Sequence, residues 1–221
     1  MKRVLSLIIL LLFCLTAQSQ TIQQIDSLND QMCRALEKAA PLDESKLQDV
    51  LQNHIPDFHA QYGIDTEAKS DSIMNLVYFR LQKSCNAFLV LLSKLEENKS
   101  DWAIVNEKPK TEISESELNK FFSIPNLHYK EYNGKIVNVT NKKNIWAEKF
   151  EDGSFSKLEF KKTSKSTFAL KFIESNNETR KNFSVKGEEY NYGIYGKGEN
   201  YYEAWVVSKE GKYHTFKLYI D

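Results

Sequence analysis

The hydrophobic pattern of this chain changes period once, at Pro125. Upstream of it, apolar residues recur at steps of three and four; downstream they alternate. The first spacing is that of a helix with one buried stripe, the second that of a strand with one buried face. Helices first and strands afterwards, with no regular alternation of the two, predict an α+β chain.

In TIQQIDSLNDQMCRALEKAA the positions Ile22, Ile25, Leu28, Met32, Ala35, Leu36 and Ala39 form one helical stripe. Pro41 stops that helix, and Asp43 caps a second whose stripe is Leu47, Val50, Leu51, His54 and Phe58. Pro56 lies inside the second helix and should kink or end it. A third, long helix is expected over 66–97, with Val77, Leu81, Cys85 and Phe88 on its stripe. Residues 98–125 read as a linker. Ser114 and Glu117 stand at capping-box spacing there and predict one short helix.

From 126 to 221 eight strands are predicted: Tyr129–Tyr132, Lys135–Thr140, Ile145–Phe150, Phe155–Lys162, Thr167–Glu174, Glu188–Tyr195, Tyr201–Ser208 and Tyr213–Ile220. Turn signals such as Asn133-Gly134, Asp152-Gly153 and Glu210-Gly211 separate them. Short strands with tight turns and no helices between them predict an antiparallel β meander, as a rolled sheet or small barrel, following an N-terminal helical bundle. Phe168, Leu170 and Phe172 share one face with the character of Phe216, Leu218 and Ile220, and that face is the expected core.

The N-terminus stands apart from both patterns. MKRVLSLIILLLFCLTAQSQ has a basic start, an apolar run from Val4 to Leu15 and small residues at cleavage spacing, which is the pattern of a secretory signal peptide over 1–19. The run falls short of the roughly 20 residues of a membrane span. A lipid anchor at Cys14 is disfavoured, because Phe13 precedes it where a lipobox takes a small residue. The expected mature chain is therefore secreted or periplasmic, begins at Gln20, and divides into a helical domain (20–97), a linker (98–125) and a β domain (126–221).

Cys33 and Cys85 remain after cleavage. An isolated pair in an oxidising compartment predicts a disulfide, and the separation rules out a CxxC redox centre. Closing a loop of about 50 residues would stabilise the fold by roughly 4 kcal/mol on the chain-entropy estimate. Thirty basic residues balance thirty acidic ones, so no field draws the chain to nucleic acid or to an anionic membrane.

Few residues carry chemistry by their pattern. YNYGIYGKGENYYEAW (190–205) has Gly193, Gly196 and Gly198 in phosphate-loop style, but a phosphate loop opens a helix and here both flanks are strands. A hairpin turn fits better. Tyr190, Tyr192, Tyr201 and Trp205 are the candidate ligand-binding residues, as an aromatic platform; the structural reading is a cross-strand ladder. His54, Asp57 and His59 lack the spacing of a zinc-binding helix, so no metal and no cofactor is predicted. His128 and His214 accompany many serines, yet none sits in a GxSxG elbow, and no catalytic residue is assigned.

The stretch NIWAEKFEDGSFSKLEFKKTSKSTFALKFIESNNETRKNFSVKGE (144–188), with its KFEDGSFSKL hairpin and FIESN strand end, resembles small uncharacterised secreted β-rich proteins of Gram-negative bacteria. The AQSQ ending of the signal segment is similar to theirs. The resemblance covers the C-terminal half and implies a secreted bacterial β-rich protein; it carries no activity, cofactor or site residue. The leading expectation is a non-catalytic binding or interaction protein, its partner an envelope protein or small ligand. The alternatives are an envelope hydrolase with a site between the two halves, and a lipocalin-like carrier of an apolar ligand. The carrier would need an interior left unfilled by Phe168, Phe172, Phe216 and Leu218.

Overall fold

The computed structural model describes residues 22–39, 41–95 and 101–220. The expected signal peptide and Cys14 lie outside the described residues. The chain is α+β, helices first and then an antiparallel meander that closes on itself. It divides into two compact units between Phe88 and Leu89.

The first unit holds α1 (residues 22–38), α2 (Glu44–Tyr62), α3 (Glu67–Ser84) and the start of α4 (Asn86–Leu95). The stripes supply buried residues: Ile25, Leu28, Met32 and Leu36 from α1, Val50 and Phe58 from α2, Val77 and Leu81 from α3. Asp43 and Thr66 cap α2 and α3 by accepting from the backbone N–H groups of Lys46 and Lys69, and Gly63, in the left-handed region, ends α2. Two features differ from the sequence pattern. Pro56 neither ends nor stops α2, which runs on to Tyr62. The proline sits on the exposed side, where water can take the carbonyl it leaves unpaired. The long third helix is two helices, because Cys85 adopts an extended conformation between α3 and α4. The break falls at the residue bonded to Cys33: the two form a disulfide with Cα atoms 5.4 Å apart, tying α1 to the end of α3.

A buried ion pair sits in the same unit. Arg80 is 1% exposed, and its Nε and Nη2 donate to the two carboxylate oxygens of Asp26 at 2.6 and 2.8 Å. The paired geometry offsets much of the cost of removing the guanidinium from water.

The second unit contains β1 (Ala103–Val105), α5 (Glu115–Phe121), β2 (Asn126–Lys130), β3 (Ile136–Lys142), β4 (Ile145–Lys149), β5 (Phe155–Lys162), β6 (Thr167–Ser175), α6 (Glu178–Phe183), β7 (Glu189–Lys197), β8 (Tyr201–Val207) and β9 (Tyr213–Ile220). Each strand from β2 to β9 pairs antiparallel with the next. Then β9 returns to β2 through Leu127↔Ile220 and His128↔Tyr219, and the meander becomes an eight-stranded barrel. The other part of that β9 edge takes β1, in register Ala103↔Thr215. Trp102, just ahead of β1, donates its indole N–H to the carbonyl of Lys130 at the end of β2. Part of the expected linker, Ala103–Val105, is thus a strand of the sheet. Register shifts at Lys157/Leu158 and Ile194/Gly196 add the local twist that closure requires. Among the described residues no helix is long and apolar enough to cross a membrane.

Candidate functional site

The interior of the barrel is built from the alternate residues of every long strand. Leu127, Val137, Val139, Trp146, Leu158, Phe168, Leu170, Phe172, Ile194, Tyr202, Phe216 and Leu218 are buried in one cluster. Phe168 stacks on Phe160, Tyr192 and Trp146 at 5.2, 5.2 and 5.9 Å between ring centres. Leu218 and Phe168, at 0% and 1% exposure, lie within this packed cluster.

Both ends are closed as well. At the end where β6 and β8 begin, α5 inserts Leu118 and Phe121, whose ring lies 5.9 Å from Phe168 and 5.1 Å from Tyr202. Ser114 caps this helix by accepting from the N–H of Glu117, the first half of the capping box expected from sequence. The Glu117 carboxylate accepts from Lys120 at 2.6 Å and pairs with Lys197 at 2.7 Å. Those two bonds hold it at a pKa of about 2.

At the opposite end the closure is polar. Arg180 on α6 donates from Nη2 to Tyr129 Oη at 2.8 Å and to Glu131 Oε1 at 2.9 Å, with Nε 3.5 Å from Glu148 Oε2. Tyr129 in turn donates to Glu148 Oε1 at 3.0 Å, and the guanidinium stands over the Phe150 ring. Burial works against the charge on Arg180, but Tyr129, Glu148 and Glu131 outweigh it and raise its pKa. Burial lifts the Tyr129 phenol well above its ordinary range, opposed by Arg180 and reinforced by Glu148 and Glu131. This network joins α6 to β2 and β4 and satisfies its own charges. Nothing in the sequence marked it, because its members are scattered between positions 129 and 180.

The four aromatic candidates do not share one surface. Tyr190 and Tyr192 face the barrel interior, whereas Tyr201 and Trp205 face outward. The extra residue in β7 near Tyr195 sets the register so that Tyr192 opposes Val206 and Gly193 opposes Trp205; the expected ladder between the two tyrosine pairs does not form. Tyr190 Oη lies 2.6 Å from Ser184 Oγ and donates to Glu188 at 3.1 Å. Burial, then Glu188, pushes its pKa up despite the Ser184 bond. Burial does the same to Tyr192, with Glu148 adding to it and Arg180 opposing. Trp205 is 5% exposed, so it is no open platform. Its ring meets Tyr213 edge-on at 5.2 Å and has Lys108 Nζ 5.1 Å above it.

The glycines have a packing role. A side chain at Gly193, Gly196 or Gly198 would run into Trp205, Glu203 or Tyr201 respectively. These are three outward residues of β8, each lying across a glycine of the partner strand or turn. The hairpin turn itself is the three residues 198–200.

The helical unit carries an open cleft of about 340 Å³ between α1 and α2. Gln23, Ser27 and Gln31 line it from α1, and Asn53, Asp57 and Gln61 from α2, both sets at steps of four and so on single helix faces. Leu28 and Phe58, from the two buried stripes, form its floor. Tyr62 stands at the rim, 40% exposed, its ring 4.7 Å from that of Phe58. His54 Nδ1 donates to the carbonyl of Val50 at 2.8 Å, which leaves Nε2 as its acceptor. Among the described residues His54, Asp57 and His59 do not converge as a set of three metal ligands. The repeated polar residue four positions apart, flanking each apolar stripe, was the signal in the sequence for this cleft.

Comparison with protein-family models, with curated proteins and with solved structures returns no match.

Proposed function

We propose that this protein is a non-catalytic binding or interaction protein that works outside the cytoplasm, secreted or in the periplasm. The observation that carries the reading is the packed barrel. Its interior is filled by side chains and its ends are closed by α5 and by the Arg180 network. Such a barrel is a rigid scaffold and not a container, so recognition falls to outer surfaces and to the cleft of the helical unit. The Cys33–Cys85 disulfide fits an oxidising compartment, and the basic-apolar-small order of residues 1–19 supplies the export signal.

A thermal-shift screen of the mature chain, residues 20–221, under non-reducing conditions tests the reading. The panel is neutral oligosaccharides, fatty acids, haem, divalent metals and peptidoglycan fragments, with capture from an envelope extract as the second arm. A ligand that binds only the folded state raises the midpoint by mass action. A saturable shift, or one envelope protein retained reproducibly, is the expected result. A fatty acid that shifts the midpoint and is held inside the barrel would replace the scaffold reading with a carrier. Silence in both arms would overturn the proposal.

A further inference from the structure

We propose that the cleft between α1 and α2 is a binding site for a neutral saccharide ring. The inference rests on the reading of the protein as a binding protein and names the site and the ligand class.

The chemistry of the lining carries it. Five of the lining residues, Gln23, Gln24, Gln31, Asn53 and Gln61, are carboxamides. Each offers both a donor and an acceptor, the complement of a hydroxyl group that does the same. A ring with adjacent hydroxyls can therefore be gripped from α1 and from α2 at once. Among the described residues Asp57 is the one carboxylate of the lining and accepts only, and no lysine or arginine lines the cleft. An anionic ligand would meet that carboxylate with no opposing cation.

The floor and rim supply the second element. Leu28 and Phe58 are buried beneath the polar walls, and the Tyr62 ring is exposed at the edge with its hydroxyl accepting from Gln61 Nε2 at 3.2 Å. The C–H face of a pyranose can lie on such a ring while its hydroxyls reach the carboxamides. His54, fixed by its bond to Val50, holds Nε2 as a further acceptor. A volume of about 340 Å³ is at the lower end of the range for small-molecule sites and suits one or two rings. An extended peptide fits poorly. Both walls are helices, so no strand edge is offered for it to join.

The test is saturation-transfer NMR and titration calorimetry on the mature, disulfide-bonded chain, with cellobiose and N,N′-diacetylchitobiose as probes. Ring-proton saturation from at least one of them is expected. Gln31→Ala, Gln61→Ala and Tyr62→Ala should each weaken that affinity by about fivefold or more. All three residues are exposed and helical, so alanine leaves the fold in place; an unchanged unfolding midpoint verifies this. Tyr201→Ala, on the barrel surface, should leave the affinity unchanged. Binding that survives all three cleft variants overturns the site. If neither sugar binds while a peptide or an envelope protein does, the saccharide assignment falls and the binding-protein reading stands. If a sugar binds in the cleft and is hydrolysed, the cleft stands and the non-catalytic reading falls.

Discussion

Tyr201, Glu203 and Trp205 on the outer face of β8 each rest on a glycine, and the Gly193–Trp205 pair shows what that contact does. The indole covers Gly193 so closely that a Cβ there would overlap the ring. Gly193→Ala should therefore force Trp205 out of its seat between Tyr213 and Lys108. The overpacking cost is about 1–3 kcal/mol; a lower urea midpoint and a red-shifted tryptophan emission would report it, and an unmoved midpoint would refute the packing role. A second residue-scale prediction concerns the phenols inside the barrel. Tyr129, Tyr190 and Tyr192 all have pKa values raised chiefly by burial. Below pH about 10, the ordinary tyrosine value, folded and unfolded chains both keep these protons and the contribution is constant. Above it the unfolded chain ionises first, so stability falls as pH rises toward the folded pKa values. The melting temperature should fall as pH rises above about 10, and Tyr192→Phe should lessen the slope. Tyrosinate absorbance at 295 nm that titrates fully before unfolding would contradict this.

At the scale of elements, the legible parts are those whose cause is local. β5 and β9 have the bounds that alternation and flanking turn residues predict, Phe155–Lys162 and Tyr213–Ile220. The α5 cap at Ser114 was likewise written in four residues. What local pattern missed depends on distant partners. β1 is three residues long and exists because β9 has a free edge beside Thr215. The register of Tyr192 against Val206 follows from one extra residue near Tyr195, which alternation alone does not place. Residue type does not say which face an aromatic takes, and the fold places two of the candidates inward and two outward. Whether Pro56 breaks its helix depends on whether it faces water, which local sequence does not give. That exposure sets a prediction: Pro56→Ala restores a helix hydrogen bond and removes no contact from the core. It should raise stability by about 1–3 kcal/mol, below the full interior-proline penalty because proline also restricts the unfolded chain. A rise in helical ellipticity and in its midpoint would be seen; a fall would mean that Pro56 is held by packing.

For the whole molecule, the two units carry separate optical reporters. Trp102, Trp146 and Trp205 are the three tryptophans of the chain and all lie in the barrel unit. The long helices α1, α2 and α3 lie in the other, so ellipticity at 222 nm reads chiefly that unit. The disulfide belongs to the helical unit alone and closes a loop with a sequence separation of 52. On the chain-entropy estimate its loss costs about 4 kcal/mol. With a urea slope of about 1–3 kcal/mol per molar, that is a midpoint shift larger than about 1 M. Reduction, or the double variant Cys33→Ser/Cys85→Ser, should therefore move the ellipticity transition to lower urea and leave the tryptophan transition nearly in place. The barrel needs no covalent tie, because its closure is made by paired strands and a packed interior, whereas three helices with a buried Arg80–Asp26 pair have a smaller apolar core to spend. If both transitions moved together by the same amount, the chain would unfold as one cooperative body. The division at Phe88 would then describe its geometry and not its energetics.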